Sequence, residues 1–213
     1  MAATVGESSY INLGNNVVTE GLAYRITPFT TNAQGARNFD TKRTYDNVMH
    51  RFKFGGLNQK GIYIDETVMR MCYRRIMSQL ANKLIEEGDK KRAAEVLAYL
   101  DKMLPSYNIP HEFSSGSLDI AEGWYQVGQK QKAIKVLNEM WRNSQQYLNW
   151  YNNLNAEQFA FSKNNAYAHA YYLQQILLVA QQIDQQWFNK HYEQYSRMIR
   201  TFEERGGAQG IDR

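Results

Sequence analysis

Three prolines and one cysteine, Cys72, stand among 213 residues. A single cysteine excludes an intramolecular disulfide, and a chain of this length can build a core without one, so the redox compartment stays open. So few prolines leave room for long, uninterrupted helices. No apolar run approaches the roughly 20 residues that span a bilayer. The longest, 176–180, reads as helix core. Residues 1–10 lack the charged start and apolar centre of a signal peptide. A block of like charge is missing too. The 25 basic and 21 acidic residues are interleaved, so the net charge of +4 marks no nucleic-acid arm, and no nucleic-acid partner is expected. The densest basic clusters, Lys90-Lys91-Arg92 and Lys130, Lys132 and Lys135, follow glycine turns and read as solvated faces.

Motifs that carry chemistry are equally scarce. The chain contains no GxxxxGK[ST], GxGxxG or GxSxG, and Gly14-Asn15 and Gly55-Gly56 read as turns, not phosphate cradles. His50, His111, His169 and His191 form no HExxH pattern and no metal-ligand spacing with Cys72. Only His111-Glu112, with Asp119 and Glu122 close behind, could gather acid–base or metal-binding groups. Carboxylates beside a helix start more often serve as caps and dipole partners. Cys72 lies on the apolar stripe of its helix and reads as a buried structural thiol. No catalytic residue, metal or cofactor is therefore assigned.

What is present is helical periodicity. The hydrophobic fraction of 43% supports a real core. Residues 1–60 read as a mixed N-terminal segment: alternation in 23–27 predicts a short strand. Tyr45, Val48, Met49 and Phe52 predict a short helix, capped by Asp40 or Thr41 and stopped at Gly55-Gly56. Residues 61–213 read as one helical domain. Asp65 and Glu66 mark a helix start, and Val68, Cys72, Ile76, Leu80 and Leu84 form one stripe. Gly88 ends that helix. Ala93, Leu97, Leu100 and Leu104 belong to the next, which Pro105 closes, making an antiparallel hairpin.

The hairpin then recurs. Gly88 and Gly128, Ala93 and Ala133, Leu97 and Leu137, and Ala81 and Ala121 each lie 40 positions apart. Fixed-period self-similarity is the signature of a repeat stack. A third, weaker pair is expected from Ala166, Tyr171, Leu173, Ile176, Leu177, Ala180 and Ile183, followed by the stripe Phe188, Tyr192, Tyr195, Ile199 and Phe202. Gly206-Gly207 ends it, with a frayed tail over 208–213. Ala81, Gly88, Ala93 and Pro105 resemble the small, turn, small and terminating positions of the tetratricopeptide repeat. The fold expected is thus all-α: about three stacked antiparallel helical hairpins of a tetratricopeptide-like alpha-alpha superhelix, with a partly extended N-terminal segment. The period exceeds the family's usual ~34, the excess lying in the linker 106–117.

The stretch 147–172 is crowded with rings set among amides: Tyr147, Trp150, Tyr151, Phe159, Phe161, Tyr167, Tyr171 and Tyr172, with His169. Aromatic faces stack and amides hydrogen-bond, so Tyr147, Trp150, Tyr151, Tyr167, His169 and Tyr171 could line a groove for a peptide or a sugar. Alternatively, these rings fill the joint between the second and third hairpins.

Three early segments resemble a family of large bacterial multi-spanning membrane proteins related to the transmembrane protein O-mannosyltransferases. They are Thr19-Glu20-Gly21-Leu22-Ala23-Tyr24-Arg25-Ile26-Thr27-Pro28; Tyr45-Asp46-Asn47-Val48-Met49 with Phe52-Lys53-Phe54-Gly55-Gly56-Leu57; and Ile62-Tyr63-Ile64-Asp65-Glu66 with Arg70-Met71. The resemblance implies a soluble C-terminal region, after the last membrane span, on the periplasmic face of the inner membrane. Catalysis, as glycosyl transfer, would belong to the membrane part. This region would be a non-catalytic binding or scaffolding domain for a protein or polypeptide partner. Two other readings stand beside it: a free-standing tetratricopeptide-like adaptor, and a hydrolase or transferase centred on His169, which would need a carboxylate partner there.

Overall fold

A computed structural model describes residues 1–2, 5, 10–30, 38–62, 73–112 and 116–206. The described residues form seven α-helices packed on one another, with a three-stranded sheet near the N-terminus. The sheet contains β1 (Val17–Thr19), β2 (Tyr24–Ile26) and β3 (Asn38–Phe39) in the order β2-β1-β3. β1 pairs antiparallel with β2, setting Val17 opposite Ile26, and parallel with β3, setting Val18 opposite Asn38. The strand expected at 23–27 is β2. β1 and β3 had no visible signature: the three residues of β1 are all buried and so do not alternate, and β3 has only two residues.

Helix α1 (Thr41–Asp46) starts at Asp40, whose carboxylate accepts the Arg43 N–H at 2.9 Å, so Asp40 and not Thr41 is the cap. It continues as a wider π turn over Asn47–Arg51. Phe52 is already extended, so the helix ends before Gly55-Gly56 and not at it. This segment is bound to the helices that follow. Val48 and Phe54 belong to the main core, the Thr41 hydroxyl donates to Glu87 at 2.6 Å, and the Tyr45 hydroxyl donates to Glu95 at 2.9 Å.

The remaining helices are α2 (Arg75–Glu86), α3 (Lys90–Met103), α4 (Ser117–Gln126), α5 (Lys130–Asn152), α6 (Ala156–Ile183) and α7 (Gln185–Glu204). The expected helix start at Asp65 and Glu66, the stripe positions Val68 and Cys72, and the tail 208–213 lie outside the described residues. Each successive pair, α2–α3, α4–α5 and α6–α7, folds back on itself through a short turn and packs along its length. α2 also packs on α4, and α4 on α6, so alternate helices form one layer; α5 and α7 touch on the other side. Ala81, Leu97, Ala121, Leu137, Ala166 and Ala180 are fully buried in one continuous core. A buried leucine contributes about 2 kcal/mol, while the small alanines set how closely the helices approach. Gly123 serves the same end: a Cβ there would stand 3.3 Å from Leu97 and 3.4 Å from Asn82.

The 40-residue period is visible in the turns. After α2, the Gly88 N–H donates to Ile85 O at 3.0 Å and the Asp89 N–H to Leu84 O at 2.8 Å. After α4, the Gly128 N–H donates to Tyr125 O at 2.9 Å and the Gln129 N–H to Trp124 O at 2.8 Å. Both glycines are left-handed, with φ of 84° and 83°. This is the glycine-terminated helix end that satisfies the last orphan carbonyls.

The linker between the first two hairpins is pinned from both sides. Arg74, wholly buried, donates to Pro110 O at 2.8 Å and to Ile109 O at 2.6 Å. From α5, Glu139 accepts the His111 N–H at 3.2 Å and Asn143 donates to His111 O at 3.0 Å.

Candidate functional site

The ring-rich stretch folds as the end of α5, a three-residue turn and the first half of α6. Asn155 sets the turn: its side chain accepts the Gln158 N–H at 2.9 Å, and the Gln158 side chain returns to the Asn155 N–H, a reciprocal capping box. Asn152 and Leu154 are held by the far end of the chain, where Arg205 donates to both of their carbonyls and lies over the Phe159 ring. Asn152 in turn donates to Met198 O at 3.1 Å. The turn is therefore locked onto α7, which gives the rings beside it a rigid base.

Five of the six candidate residues are brought together. Tyr147 stacks on His169 with centroids 4.5 Å apart and planes at 17°. Tyr151 lies 6.1 Å from His169, and Trp150 meets the Tyr151 ring edge-on at 4.8 Å. His169 meets Tyr172 edge-on at 5.5 Å, and Tyr172 meets Tyr171 at 6.3 Å. Tyr172 is thus the link that the six-residue selection missed. Its spacing of three from His169 on a helix was the available signal. Tyr167 makes no ring contact with this chain among the described residues.

The rings divide by exposure. Tyr151 is 8% exposed and Phe159 is buried, so these two fill the joint. Trp150 at 58%, Tyr147 at 49% and Tyr171 at 42% present their rings to solvent, as does Tyr167. Along α6 the solvent-facing stripe is Asn164, Tyr167, Tyr171, Gln174 and Leu178, and Phe161 is almost wholly exposed. Charge is nearly absent: Glu157 and Lys163 are the only Asp, Glu, Lys or Arg residues in 143–183, in a chain that is 22% charged.

His169 sits at the centre of the ring chain. Its Nδ1 is buried without a hydrogen-bond partner among the described residues, and burial pulls its pKa below the ordinary value. The imidazole is therefore neutral at neutral pH and acts as another flat ring. No carboxylate is hydrogen-bonded to it, so the histidine–carboxylate pair needed by a hydrolase or transferase centred on His169 is not formed among the described residues.

The second grouping, around His111, is built differently. His111 Nδ1 lies 3.0 Å from Ser117 Oγ, and burial, with Arg74 and Lys135 adding to it, pushes its pKa down to about 3. Asp119 and Glu122 both have raised pKa values, chiefly through burial. Asp119 stands in the first turn of α4, where the helix dipole favours it. Among the described residues no group of three or more His, Cys, Asp or Glu is placed to hold a metal ion. Nor is any described helix long and apolar enough to cross a membrane. The Lys130 ammonium, expected to be solvated, reaches Asp184 at 2.9 Å, and Lys132 lies over the Trp124 ring at 3.9 Å. Comparison with protein-family models, with curated proteins and with solved structures gives no match.

Proposed function

We propose that the helices form a tetratricopeptide-like stack whose α5–α6 face binds a polypeptide, and that the domain is a non-catalytic binding or scaffolding module. One observation carries this reading. A connected chain of rings on two helices presents Tyr147, Trp150 and Tyr171 to solvent from a rigid base, in a stretch almost without charge. Large exposed rings on a preorganised surface are what binding sites use and what a bare solvated face avoids. The alternate-helix layering and the repeated glycine turns support the repeat-stack reading, and such stacks offer extended faces to partners.

In this proposal the module belongs to a larger membrane protein related to the O-mannosyltransferases and faces the periplasm, where it holds an acceptor or partner polypeptide near a membrane-embedded centre. The packing of residues 38–62 onto the first hairpin favours a second reading, a free-standing adaptor, because it closes that end of the stack. Two measurements test these proposals. A photo-crosslinking residue at position 150, 147 or 171 in cells should trap a partner, while the same residue at exposed Tyr192 on α7 should not. Equal trapping at all four sites, or none at any, would overturn the binding reading. A blot of cell fractions then separates the two settings: a membrane band far above 24.8 kDa supports the larger protein, and a soluble band at 24.8 kDa the adaptor.

A further inference from the structure

Helix α4 packs on both α5 and α6 and is much shorter than either. It has 10 residues, against 23 in α5 and 28 in α6. Because it joins α5 through the Gly128 turn, it runs beside only about the first half of that helix. The side chains record where it stops. On α5 one stripe, at spacings of four and three, runs Val136, Met140, Asn143, Tyr147 and Trp150. Val136 and Met140 are buried, Asn143 is half-buried, and Tyr147 and Trp150 are exposed. On α6 the matching stripe runs Ile183, Val179, Ile176, Tyr172, His169 and, two turns on, Phe161. The first three are buried, Tyr172 and His169 are half-buried, and Phe161 is 98% exposed. The stack of Tyr147 on His169, at 4.5 Å, joins the two stripes, so they are the walls of one groove. The linker that enters α4 is held at Glu139 and Asn143. From Asn143 to the end of α5 at Asn153 the groove runs on for about 15 Å.

Two features select the kind of occupant. The walls are the same two helices that already hold α4, so the open length continues an interface that takes a helix. Both walls also keep their backbone hydrogen bonds within themselves. An extended strand laid between them would find no backbone partners for its own N–H and C=O groups, whereas a helix satisfies them internally. We propose that this groove takes an amphipathic helix of a partner polypeptide, about three turns long and in line with α4. Its apolar stripe would lie on Tyr147, Trp150 and Phe161. α4 supplies the pattern: it turns Ser117, Ile120, Ala121 and Trp124 inward, at helical spacing. The proposal rests on the reading of this surface as a binding face and adds the conformation and the pattern of what it binds.

The test uses two displayed libraries of peptides of about fourteen residues with the same overall composition. In one, apolar residues recur at helical spacing, and in the other they alternate. Both are selected on the full chain. Enrichment should come from the helical library. The enriched peptides should bind about tenfold more weakly to Trp150→Ala and to Phe161→Ala, and equally well to the control Tyr192→Ala, each variant first shown to unfold cooperatively. A proline placed at the centre of an enriched peptide should weaken it by at least about tenfold. Enrichment of the alternating library, or tolerance of the proline, overturns the helical occupant while leaving a binding domain. Binding that ignores both ring substitutions lies outside this groove and overturns it as well. So does a photo-crosslinker at position 161 that joins residues 113–115 of the same molecule, or a second copy, because the chain then fills the groove itself. If neither library is enriched, the underlying binding reading falls too.

Discussion

The turns that close the first two hairpins are built alike, and the turn that closes the third is not. At Gly88 and Gly128 a left-handed glycine lets the chain donate back to the helix it has just left, with the same pair of hydrogen bonds in both places. Between α6 and α7 there is no glycine. Asp184 stands extended, ends one helix and caps the next by accepting the Trp187 N–H at 2.9 Å, and takes Lys130 as a partner. The faces differ as well. In the first hairpin no large apolar side chain is exposed and Leu97 is core; the second keeps Leu137 in the core but exposes Tyr125, Tyr147 and Trp150. In the third, the outer stripe of α6 carries Tyr167, Tyr171 and Leu178 into solvent. A repeat constrained only by packing keeps its period. The third hairpin departs from it at its turn, and the exposed rings straddle the boundary, Tyr147 and Trp150 on α5 and Tyr167 and Tyr171 on α6.

This comparison can be tested in four ways. Leu97→Ala and Leu137→Ala remove equivalent, fully buried side chains. Each should cost about 3 kcal/mol in urea unfolding, and the two should agree closely. A difference as large as the effect itself would mean that the two hairpins are not equivalent in energy.

The second concerns pH. His111 is held near 3 in the folded chain against an ordinary 6.5. Below about pH 6.5 the unfolded chain takes up a proton that the folded chain refuses, so stability falls as pH drops from 6.5 toward 3. Burial depresses His169 and His191 in the same direction. The raised carboxyls Asp119 and Glu122 act oppositely, gaining stability as pH falls through their folded values. His111→Gln should flatten the slope by up to about 1.4 kcal/mol per pH unit, measured by thermal unfolding between pH 5 and 7. An unchanged slope would show that His111 takes up its proton in the fold as readily as in the unfolded chain.

Third, Gly88→Ala and Gly128→Ala should each cost about 1 kcal/mol. Space is open for the new Cβ at both sites, so the cost is backbone strain alone. Asp184→Ala should lower the melting temperature by another route, the loss of a cap and a partner, and should respond to salt where the glycine variants do not. Fourth and smallest, Trp150→Ala should change unfolding free energy by no more than about 0.5 kcal/mol. A large loss there would place Trp150 in the core and remove the main support for the binding face.

Much of the helical architecture was legible in the sequence. Gly88 and Gly128, with Ala93, Leu97 and their partners 40 positions on, carry both the turn geometry and the burial period, and both are local properties. The start of α6 was less legible. It begins at Ala156, ten residues before the first apolar position used to infer it, because the capping box at Asn155 is polar and its first turns face solvent. Of the strands only β2 was legible, because β1 is buried at every position and β3 has two residues. The packing of residues 38–62 onto the first hairpin left no sequence signal, since contacts such as Thr41 to Glu87 join residues far apart in the chain.

The candidate face shows the same division. Composition located the rings and amides of 147–172, but periodicity could not sort them. Tyr151 is buried and its neighbour Trp150 is exposed, because one helical step of 100° turns one toward α6 and the other toward water. The sequence by itself determined that this chain is helical, where its first two hairpins turn, and that 143–183 is almost free of charge, because these follow from local backbone preference and composition. The tertiary structure decided which rings are core and which are surface, that His169 joins them as a neutral ring, and that Arg205 and α7 hold the whole turn rigid. Those outcomes depend on contacts between residues distant in the chain, from Tyr151 with His169 to Asn152 with Arg205, 53 positions apart, and no local pattern encodes them.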